Sequence, residues 1–153
     1  MTPSRPMVYV NGHARTKGIS RGTLTPWLRD LLCIEGRPGA VVSLTFVDSA
    51  AMSALNGRYT GRRGTTDVLA FSQQEGDHPA PDPDLLGDVL VDMEQVRAQA
   101  RKYGVEPREE MLRVVAHGFL HLLGYDHTSQ REELCMRLAE ERHILRYRTS
   151  QES

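Results

Sequence analysis

The sequence predicts a layered domain of interleaved strands and helices, α/β or α+β in class. Three observations carry this: short β-branched runs alternate with amphipathic segments, each segment has its own cap or stop residue, and the composition is that of a folded chain. The 153 residues suit one domain over residues 1–153 with room for a single core. Hydrophobic residues make up 39% and charged residues 25%, which excludes a disordered, charge-dominated chain.

Val8 to Val10, closed by Asn11-Gly12, reads as a strand entering a turn. Thr25-Pro26 offers an N-cap with proline at the first helical position. Trp27, Leu28, Leu31, Leu32 and Ile34 then form an apolar face, stopped by Gly36 and Pro38. Val41 to Val47 reads as a buried strand. Asp48 or Ser49 caps a following helix that places Met52 and Leu55 inward and ends at Asn56-Gly57. Gly57 to Gly64 reads as a glycine- and arginine-rich loop, and Asp67 to Phe71 as a third strand. Gln73 to Asp84, with Pro79, Pro81 and Pro83, belongs outside any sheet.

Val89 to Val91 is a fourth strand, and Asp92 caps a helix that Gly104 stops after Tyr103. Pro107, Glu109 and Glu110 open the next helix, where both acids favour the positive end of the dipole. It runs through His121 to a stop at Gly124. Ser129 with Glu132 is a capping box for a last helix reaching about Arg146. Met93 and Met136 read as packing residues, and Cys33 and Cys135 as two small buried hydrophobes without disulfide or CxxC spacing.

Formal net charge is −1, so overall charge gives no case for nucleic acid. Arg58, Arg62 and Arg63 nonetheless crowd a stretch without acids. No apolar run approaches the roughly 18 residues of a membrane span, and the start lacks an apolar signal segment, so a cytoplasmic protein away from membranes is expected.

The segment His117 to His127 reads HGFLHLLGYDH. On a helix, His117 and His121 share one face a turn apart, and Gly124 lets the chain turn and bring His127 back. Three imidazoles with a fourth position left to solvent make a catalytic zinc geometry, although nickel, copper or iron also suit them. The apolar run Met111, Leu112, Val114 and Val115 before them suggests that His117 is poorly solvated unless it binds a metal. His13, His78 and His143 lack partners at ligand spacing and read as surface residues. Asp126 reads as a turn residue or as a carboxylate orienting a neighbouring imidazole.

The same histidine spacing occurs in metzincin proteases, whose general base is the glutamate after the first histidine. Here that position is Gly118, which removes the proton acceptor a protease needs. A zinc hydrolase with another substrate is an alternative reading of this spacing.

The string HGFLHLLGYDH closely resembles the HGxLHLxGYDH signature of the YbeY family of metal-dependent endoribonucleases. Leu55-Asn56 with Tyr59, TTDVLAF from Thr65 to Phe71, and LLGD from Leu85 to Asp88 match in order. The resemblance runs from about Val41 to about Ile144. It implies an α+β (αβα layered) fold with a small mixed four-stranded sheet and about five helices, its metal site at the end of a core helix. It implies one Zn2+ on His117, His121 and His127. It further implies single-strand endoribonuclease activity in maturing the 3′ end of small-subunit ribosomal RNA and in ribosome quality control, with ribosomal RNA and the small ribosomal subunit as partners; a non-catalytic zinc-containing ribosome-assembly factor is the alternative reading. The family arginine expected after Tyr59 is Thr60 here, which leaves Arg58 and Arg62 as the candidate catalytic guanidiniums.

Overall fold

The structure, a computed structural model, describes residues 5–60, 67–75 and 77–152, with backbone alone at 56–60 and 152. The element order is β1 (Met7–Asn11), α1 (Arg21–Ile34), β2 (Val41–Val47), α2 (Ser49–Thr60), β3 (Val68–Ser72), β4 (Leu85–Asp92), α3 (Met93–Tyr103), α4 (Pro107–Leu122) and α5 (Gln130–Glu152). The strands form one four-stranded sheet in the order β1-β2-β4-β3. β1 and β4 run parallel to β2, whereas β3 pairs antiparallel with β4, so the sheet is mixed and the fold α+β.

Alternation decides the faces. Val8 and Val10 of β1, Val42 and Leu44 of β2, and Val89 and Val91 of β4 point into one core. Met7, Tyr9 and Asn11 lie exposed on the opposite face. The core is completed by Leu24, Trp27, Leu28, Leu31 and Leu32 of α1 and by Met111, Leu112, Val115 and Phe119 of α4. α4 packs against β3, β4, α3 and α5, which makes it the helix around which the rest is organised.

β4 passes β3 through Gly87, whose φ of 140° is closed to residues with a side chain. A Cβ there would stand 2.1 Å from the carbonyl oxygen of Phe71. The irregular register of β2 against β4, where Val41 faces Leu85 and Val42 faces Gly87, falls at the same point.

Several local expectations are corrected. α1 begins at Arg21, because Ser20 and Thr23 close a reciprocal capping box ahead of the Thr25-Pro26 signal. Pro26 therefore sits inside the helix and leaves the Gly22 carbonyl without its helical donor, a loss outweighed by burying Leu24, Trp27 and Leu28 around it. Ile34 is exposed, having rotated off the buried stripe. α2 is capped by Asp48, which accepts from the Ala51 amide at 2.7 Å, but it continues through Asn56-Gly57 to Thr60. A mid-helix glycine weakens a helix by only about 1 kcal/mol and need not end it. Cys33 and Cys135 are exposed, since both sit on the outer faces of their helices. α5 extends well past Arg146 to Glu152. Its capping box is half formed: the Ser129 hydroxyl accepts from the Glu132 amide at 3.1 Å, while the Glu132 carboxylate accepts from Thr128 instead.

The Asp92 cap and the Gly104 stop of α3 stand as expected. Asp92 Oδ1 accepts from the amides of Glu94 and Gln95, and Gly104 is left-handed at φ 69°. No helix among the described residues is long and apolar enough to cross a membrane.

Candidate metal centre on the fourth helix

α4 carries His117 and His121 into its last turns, after Met111, Leu112, Val115 and Phe119 have anchored the helix in the core. The chain leaves the helix through Leu123 and turns at Gly124, whose φ of 101° is open to glycine. This reversal returns His127 to the helix: the rings of His117 and His127 stand 5.8 Å apart, centre to centre. Two imidazoles that each hold one ion at about 2 Å would have ring centres roughly 5–6 Å apart, so this pair is spaced for a shared ion. His121 adds a different sign. Its Nδ1 is buried and has no hydrogen-bond partner among the described residues. Such a nitrogen calls for a ligand or a proton donor. The side chains as they stand do not close into a finished cage, because no three His, Cys, Asp or Glu groups among the described residues enclose one point. The donor set, three imidazoles, is chemically suited to a transition metal.

The expectation that His117 is poorly solvated is corrected, for its side chain keeps 36% of its exposure. What constrains it is Glu140 of α5, whose Oε2 lies 3.1 Å from His117 Nδ1 and whose side chain is 10% exposed. Carboxylates crowd this flank. Burial pushes the Asp67 carboxyl above the usual range, with Asp92 adding to it, although backbone hydrogen bonds and His117 pull the other way. Glu110 is likewise raised, first by burial and then by Asp67 and Glu140. Asp126 takes the turn role: its Oδ1 accepts from the His127 amide at 2.7 Å and lies 4.0 Å from His127 Nδ1.

His117 and His127 open on a recess of about 270 Å³ that is also lined by Arg113, Glu133, Met136, Arg137 and Glu140. Arg113 donates to Glu141 at 2.6 Å and Arg137 to Glu133 at 3.1 Å. Neither arginine was singled out by the sequence. Of the expected arginines, Arg62 lies outside the described residues, as does Arg63, and of Arg58 only the backbone in α2 is described.

His143 is the clearest correction to the sequence reading. It is fully buried beneath α1, not on the surface. Its Nε2 donates to Glu35 at 2.8 Å, and its Nδ1 accepts from Arg146, which fixes a neutral ring between a carboxylate and a guanidinium. Burial holds His143 below the usual histidine range, and nearby Arg146 adds to this, against the pull of Glu35. Burial raises Glu35, but hydrogen bonds from Tyr125 and His143 and the Arg142 contact outweigh it, so the carboxyl ends below the usual range. The Tyr125 hydroxyl donates to Glu35 Oε1 at 2.6 Å. Through this bond the network fastens the Gly124–His127 turn to the end of α1, which is how a loop histidine acquires a defined place.

A signal for Glu140 and His143 does exist in the sequence. Met136, Ala139, Glu140, His143, Ile144 and Tyr147 fall at helical spacing and all are buried, so an acid and a histidine interrupt an apolar stripe.

Gly118 faces the sheet. A Cβ there would lie 2.7 Å from Val89 Cγ1 and 3.2 Å from Val68 Cγ2. The position next to the first histidine is therefore a packing contact, and no side chain from it could reach a bound substrate.

A family model described as "Endoribonuclease YbeY" matches residues 12–148. A protein named Endoribonuclease YbeY from Pelotomaculum thermopropionicum is 42% identical over 123 residues, covering 78% of this chain and 81% of the relative. One of the same name from Geobacillus thermodenitrificans is 36% identical over 132 residues, covering 82% and 85%. The solution structure of TM1509 from Thermotoga maritima is similar with a TM-score of 0.67 and 25% identity, over 95% of this chain and 92% of that one.

Proposed function

Since the chain belongs to the endoribonuclease YbeY family, we propose that it cleaves single-stranded RNA with the aid of one metal ion, zinc first, held by His117, His121 and His127. Its substrate is the 3′ end of small-subunit ribosomal RNA, and its place is the cytoplasm, where it also serves ribosome quality control on the small subunit. The observations that carry the metal site are the pairing of His117 and His127 at 5.8 Å and, separately, the buried, unpartnered Nδ1 of His121.

An ion bound there supplies Lewis acidity toward a phosphate oxygen and acidifies water. The chain's own residues do the rest. Glu140 Oε2 stands 3.1 Å from His117 Nδ1, an arrangement that suits the Nδ1–H tautomer and leaves Nε2 free to bind an ion. Arg113 and Arg137 line that recess, each already paired with a carboxylate of α5, and an incoming phosphate would compete with Glu141 and Glu133 for their guanidiniums. Arg58 and Arg62 are the further candidates to pair with the phosphate in place of the arginine that Thr60 replaces. Gly118 leaves the protease base missing, which favours phosphoester over peptide hydrolysis.

The test uses protein without a polyhistidine tag. Elemental analysis should give about one transition-metal ion per chain, and the protein should cut single-stranded RNA until a chelator is added. His121→Ala should lose both metal and cleavage. Undiminished cutting by His117→Ala/His121→Ala stripped of metal would overturn the mechanism, and metal-loaded protein that binds RNA without ever cutting it would favour an assembly role.

A further inference from the structure

α5 presents a buried carboxylate to a histidine that faces solvent. Glu140 is 8% exposed, on the same stripe as Met136 and Ile144, and nothing about helix formation asks for an acid there. A carboxylate taken from water needs a strong partner. Glu140 Oε2 has one in His117 Nδ1 at 3.1 Å. The contact crosses between two helices, so it fixes the plane of the imidazole as well as its tautomer. It also adds negative charge behind the ring, which strengthens the opposite nitrogen as a donor to a cation.

We infer that Glu140 is a positioning residue for metal capture: it locks His117 as the Nδ1–H tautomer and aims Nε2 at a divalent transition-metal ion shared with His127. This rests on the metal site proposed above. An ordinary ion pair between α4 and α5 would stabilise the fold without influencing metal affinity, and that difference makes the role testable.

The experiment compares the full chain, tag-free and stripped of metal, with Glu140→Gln, Glu140→Ala and His121→Ala. Zinc affinity is read by competition with a chelating dye, folding by far-ultraviolet circular dichroism, and the His117 tautomer by long-range nitrogen–proton correlation at alkaline pH. Glu140→Ala should bind zinc about ten- to a hundredfold more weakly, the usual effect of removing a carboxylate behind a metal-bound histidine. Glu140→Gln should lose less, because the amide oxygen still accepts from Nδ1–H. If the alanine variant does not fold, the glutamine variant decides. The parent should show His117 protonated on Nδ1. Parent-like zinc affinity in the folded variants overturns the role of Glu140 and leaves the metal site standing. Failure of the parent to bind zinc, with His121→Ala indistinguishable from it, overturns both.

Discussion

Gly118→Ala should destabilise the protein by about 2 kcal/mol, against the ordinary expectation for glycine inside a helix. Replacing a helical glycine by alanine stabilises by roughly 1 kcal/mol through backbone entropy. Here the added Cβ would stand 2.7 Å from Val89 Cγ1, 3.3 Å from Val89 Cγ2 and 3.2 Å from Val68 Cγ2. Carbon atoms prefer separations of about 3.5–4.0 Å, so α4 must move away by most of an ångström or valine must leave its rotamer. Val89 is fully buried and β-branched, and both its methyls press on the same point, so rotation gives no relief. Overpacking of this kind costs up to about 3 kcal/mol. The net loss of about 2 kcal/mol corresponds to roughly 4–8 °C in Tm for a chain of this size. Urea and thermal unfolding followed by circular dichroism measure it. Val89→Ala should lower stability by itself through a cavity, yet combined with Gly118→Ala it should recover at least about 1 kcal/mol relative to additivity. A Gly118→Ala protein as stable as its parent, or strictly additive behaviour in the pair, would refute the packing argument.

Two more outcomes follow from the buried network. Tyr125→Phe removes the hydroxyl that donates to Glu35 and should lower stability by about 1–2 kcal/mol, with a severalfold loss of zinc affinity as the His127 turn loosens. Unchanged values on both counts would mean that the turn is held by other contacts. For pH, His143 has a lowered folded pKa, so below the usual histidine value of about 6.5 the unfolded chain takes up its proton first. Its contribution is thus complete above that value and is lost as pH falls through the folded pKa. Glu35, also lowered, adds a second loss that starts only below the usual carboxylate range. Asp67 and Glu110, held above the usual carboxylate range, work the other way once pH falls that far. The test therefore compares metal-free parent and His143→Gln from pH 7.5 to about 5.5: the parent should lose stability over that window and the variant less, and equal slopes would contradict the buried neutral ring.

By itself the sequence determined whatever is written within a few turns of chain. The Asp92 cap, the Gly104 stop, the Pro107 start and the Gly124 reversal are local, because each depends on backbone groups three or four residues away. The shared face of His117 and His121 is equally local, being fixed by the helical repeat. Only the tertiary structure decided what stands behind those histidines. Glu140 meets His117 across 23 positions and Glu35 meets His143 across 108, and both contacts exist because α4, α5 and α1 pack around one core. The strand order β1-β2-β4-β3 and the fit of Gly118 against Val89 belong to the same class. Such pairings follow from the shapes and volumes of whole surfaces, and no short stretch of sequence carries that information.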